Sequence, residues 1–281
     1  MGNKTLSTLV EDIYFLFDPE VHHEPSEENL EAFCNSMKDL LRSRLSKYNP
    51  PESPLRFSSL GKPNRQMWYE AHPVDGGKEA MLPKTYLKFM YGDIIEQMLL
   101  FLAKESGHIV ENEQGEVEVD GVKGHIDAII DGVVVDVKSA SPYGYKKFEE
   151  GTVTEDDPFG YVAQLSGYAS VLTPGEGAAW LAQDKVSGDI CVSTISSVIV
   201  RHHDPKERIA ELRAAIAKPE PPERCYEDKP DGKSGNRKLD TGCSYCSHKF
   251  RCWPTLRGFA YSTGPRYLTV VERVPDVPEI T

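Results

Sequence analysis

Two aspartates and a lysine gather around one tight turn in the stretch Gly124 to Ser139, GHIDAIIDGVVVDVKS. Asp131-Gly132 favours a two-residue hairpin connection, because both central positions need positive φ. Counting outward from that turn, Ile130 faces Val133, Ile129 faces Val134, Ala128 faces Val135 and Asp127 faces Asp136. Side chains alternate along a strand, so Lys138 shares the face of Asp136, and Asp127 joins them from the neighbouring strand. Carboxylates placed opposite each other in a Val/Ile ribbon repel and are partly desolvated. A cation between them relieves both penalties. Mg²⁺ is commonly held by one or two carboxylates, with coordination sites left for water and phosphate oxygens. A lysine two residues on can orient a water or stabilise charge growing on a phosphate. Glu96 is a third acidic candidate, and Gly92, one turn earlier, would let its helix approach the sheet closely.

The surrounding pattern supplies elements to position these groups. Leu30, Phe33, Met37, Leu40, Leu41 and Leu45 recur at helical spacing after an N-cap at Ser26, with Asn29 leaving the capping box incomplete. Pro50, Pro51 and Pro54 end that helix. A second helix is expected over 84–106, burying Leu87, Met90, Ile94, Ile95, Met98, Leu99 and Leu102 and stopping at Gly107. A strand meander over 108–139 turns at Gln114-Gly115, Asp120-Gly121 and Asp131-Gly132. A helix follows at 160–172, then strands at 178–183 and 190–200, then a helix at 205–217. Pro219, Pro221 and Pro222 interrupt the chain before a cysteine-rich tail. This order is that of an α/β domain with additions at both ends.

The 281 residues suffice for one large elaborated domain or two small ones, and 39% hydrophobic with 27% charged residues is ordinary globular composition. No apolar run approaches the length of a membrane span. The N-terminus lacks the pattern of a signal peptide, and Leu6 fits poorly where N-myristoylation wants Ser or Thr. A cytoplasmic protein with no membrane partner is expected. The formal net charge of −12 argues against a generally basic, nucleic-acid-coating surface but leaves room for a local groove. The segment 224–257 runs against that balance, with eight Lys/Arg against four Asp/Glu. Six cysteines in such a chain suggest metal ligation before disulfides.

Taken together, these residues resemble the PD-(D/E)xK nuclease superfamily, and within it the RecB-like and Cas4-like exonucleases. The D-x-K element is Asp136-Val137-Lys138, the preceding acidic strand is Gly124-His125-Ile126-Asp127, and the helical motif is Gly92 to Glu96. A Q-x-x-x-Y helix appears as Gln164 to Tyr168, and SSLGKPNRQMWY looks like an arginine-containing entry motif. The resemblance runs from about Arg56 to about Cys252. It implies a restriction-endonuclease-like core, a mixed central sheet flanked by helices. It also implies Mg²⁺ or Mn²⁺ held by Glu96, Asp127, Asp136 and the Val137 carbonyl, catalysis assisted by Lys138, and DNA contacts from Lys62, Arg65, Gln164 and Tyr168. Plainer readings stand beside it: Glu96 as a solvated helix residue, and Gln164 with Tyr168 as a packing pair one turn apart.

Cys243, Cys246 and Cys252 have C-x₂-C-x₅-C spacing, which resembles the C-terminal part of the iron–sulfur staple of Cas4-like nucleases. The remaining ligand of those relatives lies near the entry motif, where this chain has no cysteine. Cys225 is the best substitute and Cys34 a remoter one. A [4Fe–4S] cluster is one reading, structural zinc on four Cys, or on three with His248, is a second, and reduced, unliganded cysteines are a third. Cys34 and Cys191 otherwise pack as small apolar residues.

The expected organisation is a helical region at 1–55, a nuclease core at 56–218 and a metal-binding tail at 219–281. The expected activity is metal-dependent DNA exonuclease action in replication, recombination or repair, in a bacterium or its phage. The alternatives are a structure-specific endonuclease on the same fold, or a non-catalytic DNA-binding scaffold with a protein partner in a recombination complex.

Overall fold

The computed structural model describes residues 4–46 and 53–280. Pro50 and Pro51, assigned above as helix stops, lie outside them, as does the Met1-Gly2 start. In chain order the helices are α1 (Leu9–Phe15), α2 (Glu27–Leu45), α3 (Asn64–Ala71), α4 (Pro83–Glu105), α5 (Pro142–Glu149), α6 (Tyr161–Leu172), α7 (Ser197–Arg201), α8 (Pro205–Ile216), α9 (Thr241–Ser244) and α10 (Lys249–Cys252). The strands are β1 (Val110–Glu111), β2 (Glu116–Val119), β3 (Val122–His125), β4 (Ala128–Ile130), β5 (Val133–Ala140), β6 (Ala178–Asp184), β7 (Ile190–Ile195), β8 (Lys229–Pro230), β9 (Arg237–Lys238), β10 (Arg257–Tyr261) and β11 (Gly264–Val270). The chain divides into two compact units, residues 1–61 with 82–209, and residues 62–81 with 210–281.

The first unit is mixed α/β. Its main sheet, among the described residues, has the order β1-β4-β5-β6-β7, with β5 and β6 parallel and the other neighbours antiparallel. Helices flank it. Alternation along β5 sends Val135 and Val137 into a core with Leu9 and Ile13 of α1, Leu99, Leu100 and Ala103 of α4, and Ala179 and Leu181 of β6. Asp136 and Lys138 therefore leave β5 on the opposite face, where α6 packs. The β4–β5 ladder pairs Ala128 with Val135, Ile129 with Val134 and Ile130 with Val133, as the turn required. Asp131 and Gly132 take φ of 49° and 83°, and Asp120-Gly121 repeats the same left-handed pair between β2 and β3.

Several expectations need correction. Residues 197–201 are helical rather than strand, because Ser196 caps them by accepting from the Ile199 N–H. Leu87 is 50% exposed rather than buried. Helix α2 starts at the Ser26 cap but fully buries no residue; it lies along α4 through Phe33 and Phe101, with ring centroids 5.1 Å apart. Cys34 on α2 is exposed rather than packed. Cys191 is half-buried, hydrogen-bonded to Tyr145, and burial raises its pKa to about 11.

The second unit is built on a four-stranded antiparallel sheet, order β10-β11-β9-β8, which the tail's composition did not announce. Phe259 and Leu268 are fully buried in it, and helix α3 contributes Met67, Trp68 and Tyr69. The Trp68 indole N–H donates to the Lys218 carbonyl at 2.8 Å, and Tyr69 stacks on His248 at 5.6 Å. These contacts are why the SSLGKPNRQMWY segment, from Lys62 onward, folds with the cysteine tail.

Gly124 lies where β3 passes over Phe57 and Tyr168. A Cβ there would stand 2.4 Å from the Phe57 Cβ and 2.8 Å from the Tyr168 hydroxyl. Gly124→Ala is expected to destabilise the first unit by about 1–3 kcal/mol, the usual range for overpacking. Urea denaturation reads this out, and an unchanged midpoint would contradict the packing described.

Candidate metal and hydrolysis centre

The centre grows from the β4–β5 hairpin. Asp136 and Lys138 project from β5, and Asp127 immediately precedes β4. The Asp136 side chain is 8% exposed, and its Oδ2 is ion-paired with the Lys138 ammonium. That oxygen is buried and accepts no well-directed hydrogen bond. Asp127 Oδ2 accepts from the Val137 N–H at 2.6 Å, which fixes the carboxylate against the middle residue of the D-x-K element. Glu96 joins from α4, where a Cβ on Gly92 would meet Ser139 Oγ on β5 at 3.4 Å, an ordinary van der Waals contact, so the helix runs close to the strand without glycine being required.

Electrostatics record how tightly these charges are packed. Burial, then Asp93, then Asp136 push the Glu96 carboxyl up to about 7, against the pull of Lys138. Burial, then Asp136 and Glu96, push Asp127 well above the usual carboxylate range. Burial disfavours the charged lysine, yet Asp136 and Asp127 outweigh it and hold Lys138 above its ordinary value. Without a bound metal, Lys138 is therefore held in its charged form, ion-paired with Asp136. Its ammonium lies 5.1 Å from the Tyr161 ring centroid.

Some neighbours were not visible in sequence as site residues. Gln114, in the turn before β2, donates its side-chain amide to Glu96 Oε1 at 2.6 Å and its backbone N–H to the Asp127 carbonyl at 3.1 Å. One residue thus ties the two acids together, and a Gln-Gly turn was its only signal. Asp93 is neutralised by Arg44, whose Nη2 donates to it at 2.7 Å. Tyr168 is 2% exposed and stacked on Phe57 at 5.0 Å, with Gln164 hydrogen-bonded to its hydroxyl; burial is the first cause raising its pKa to about 12. The Gln164–Tyr168 pair therefore packs behind the acids.

Lys62 and Arg65 belong to the second unit. Arg65 is spent there, donating to Cys252 Sγ at 3.2 Å, to the Tyr69 hydroxyl at 2.9 Å and to the Pro222 carbonyl. Cys225, Cys243, Cys246 and Cys252 line one cavity of about 30 Å³ with Arg65, so Cys225 does join the three closely spaced cysteines. Burial, then the neighbouring cysteines, raise the Cys243 thiol to about 12. His248 faces elsewhere, toward Glu70 at 3.5 Å and the Gly77 carbonyl. The His248 ring beside it is the largest reason the Glu70 carboxyl falls to about 2. Among the described residues, no three His, Cys, Asp or Glu side chains stand arranged to hold a metal as they are.

The Glu96 carboxyl rises from its ordinary 4.5 to about 7, so ionising it in the folded state costs on the order of 3 kcal/mol. That stability is present below pH 4.5 and is lost as pH climbs through 7. Glu96→Gln removes the loss. It should raise the melting temperature of metal-free protein near pH 8 and change it little near pH 4; equal gains at both pH values would contradict the assignment.

No protein-family model matches the chain, and no curated protein matches it. Among solved structures, the crystal structure of SSO0001 aligns over 79% of this chain and 95% of its own, at 17% identity and a TM-score of 0.40. At that distance it assigns neither fold family nor activity.

Proposed function

We propose that the first unit is a metal-dependent deoxyribonuclease of the PD-(D/E)xK type, with a restriction-endonuclease-like core acting as an exonuclease. The observation that carries this reading is the buried set Glu96, Asp127, Asp136 and Lys138, in which burial and the neighbouring carboxylates raise Glu96 and Asp127 while Lys138 lowers both. Excess buried negative charge with hard oxygen donors suits Mg²⁺ or Mn²⁺. Asp136 Oδ2, buried and paired with Lys138 but accepting no well-directed hydrogen bond, has lone pairs to offer such an ion. Glu96, Asp127 and Asp136, with the Val137 carbonyl, would hold it. A bound divalent cation supplies Lewis-acid charge to phosphate oxygens and lowers the pKa of water.

Lys138 does the rest of the electrostatic work. Its ammonium donates to a phosphate oxygen and stabilises charge that grows as water attacks phosphorus. The new bond joins the water oxygen to phosphorus, the bond to the leaving sugar oxygen breaks, and that oxygen takes up a proton. Asp127, pinned by the Val137 N–H, and Glu96, held by Gln114, keep the carboxylates in place through the reaction. Asp136→Ala and Lys138→Ala should each lower Mg²⁺-dependent degradation of DNA at least ~100-fold, in line with the loss of a preorganised charge. Equal degradation by wild type and both variants would dispose of the assignment, and cutting of closed circular single strands would make the enzyme an endonuclease.

The four cysteines support a structural metal centre in the second unit. Thiols raised by burial and by one another are relieved when a metal draws them into thiolates. The resemblance to Cas4-like nucleases favours [4Fe–4S]; a cavity of about 30 Å³ has room for a single zinc ion once the thiols draw in around it. Anaerobically purified protein is expected to be brown, absorbing near ~400 nm. A colourless protein with one bound zinc would assign zinc, and absence of both metals would overturn the centre.

A further inference from the structure

Tyr161, the first residue of α6, brings an aromatic ring to the charged centre. Gly160 before it takes φ of 75°, and Asp157 Oδ2 accepts from the Val162 N–H at 2.8 Å, which fixes the first turn. The ring belongs to a row of aromatics. Its centroid lies 6.2 Å from that of Phe148 and 5.5 Å from that of Phe159, and Phe148 meets Trp180 of β6 edge-on at 5.7 Å. Phe148 and Trp180 are buried, so the row is anchored in the interior at one end. Over the Tyr161 ring stands the Lys138 ammonium, 5.1 Å from its centroid. Attraction between a cation and a ring face acts within about 6 Å and strengthens where water is excluded.

The other groups that hold this ammonium are the ones assigned above to a divalent ion. Lys138 is ion-paired with Asp136, and Asp127 is the next carboxylate that favours its charged form. Once those carboxylates turn to ligating a metal they hold the ammonium less, and the metal's own charge repels it. A lysine on a flexible four-carbon stem then swings away, unless something other than a carboxylate retains it. A ring face can do so. It attracts the ammonium, is no ligand for a hard cation, and leaves the N–H donors free for a phosphate oxygen. An ammonium fixed in advance is what stabilisation of the growing phosphate charge requires.

We propose that Tyr161 is a positioning residue for the hydrolysis, its ring keeping the Lys138 ammonium aimed at the substrate phosphate after Asp136 has turned to the metal. This rests on the nuclease reading above, and it adds a residue on which the rate depends. Two measurements on the full-length protein test it. In lysine-labelled protein, the methylene signals that Lys138→Ala removes should lie upfield, through the ring current, and stay there when Mg²⁺ is added. Tyr161→Leu should abolish that shift. With Mg²⁺ and linear DNA, offered single- and double-stranded, Tyr161→Leu should lower kcat roughly tenfold and leave KM alone, as loss of one desolvated cation–ring contact does. Tyr161→Phe keeps the ring face and should recover the rate. Tyr161→pentafluorophenylalanine keeps the shape but reverses the charge on the face, and should not. In Lys138→Ala protein, Tyr161→Leu should cost nothing further, because the ring acts through that ammonium. Equal rates for the two phenylalanine variants, or fully additive losses, overturn the proposal, since the ring would then only fill space. Loss of the upfield shift on adding Mg²⁺ overturns it too, whether or not DNA is cut. A wild type that keeps the shift in Mg²⁺ yet cuts no DNA leaves the ring holding the ammonium and removes the nuclease reading instead.

Discussion

One ammonium holds the first unit's centre together. Lys138 is the cation that the side-chain contacts place among Asp136, Asp127 and Glu96, and it meets Asp136 directly. Buried carboxylates repel, and burying them singly is costly. The lysine offsets part of that cost but not all of it, and the remainder shows in the raised pKa values of Glu96 and Asp127. A protein that keeps such an imbalance in its interior carries it as a cost to stability. The imbalance has a chemical use only if something positive, or a proton, completes the set.

The scaffold is arranged to hold this imbalance still. Strand β5 divides its residues between faces: Val135 and Val137 anchor it in the core, and Asp136 and Lys138 are held out by the same backbone. Val137 serves twice, since its side chain is core and its N–H fixes Asp127. Gln114 links Asp127 to Glu96 through one turn. Tyr168, Phe57 and Gly124 close the back of the site by packing too tight for a Cβ. The proposed hydrolysis needs this rigidity, because a charge aimed at a transition state is most effective when it does not have to reorganise. The second unit carries its own polar economy. Arg65 is drawn to the sulfur of Cys252 and to a backbone carbonyl, and four thiols share a cavity whose lining contains that arginine.

Local signals made most of this legible. The Asp131-Gly132 turn specifies the register of β4 and β5 residue by residue, because a two-residue connection leaves no freedom in which side chains face each other. The same reasoning placed the 120–121 turn, the Ser26 cap and the stop of α4 at Gly107. Local signals failed where a residue's fate depends on what lies beyond its own element. Leu87 reads as core by periodicity, yet it is half exposed in the folded chain. Residues 197–200 read as strand by their valine and isoleucine content, yet a serine cap turned them into a helical turn.

What the sequence determined by itself is therefore the hairpin, its alternation and the juxtaposition of Asp127, Asp136 and Lys138, all consequences of backbone geometry over a few residues. Tertiary structure alone decided that Glu96 joins them, that Gln114 holds it, that Tyr168 is buried behind the acids, and that Arg65 and Cys225 meet the other three cysteines. Those pairings span between 13 and 187 positions of chain, from Gln114–Asp127 to Arg65–Cys252. No local periodicity encodes them, because they arise only when distant elements compete for the same buried space.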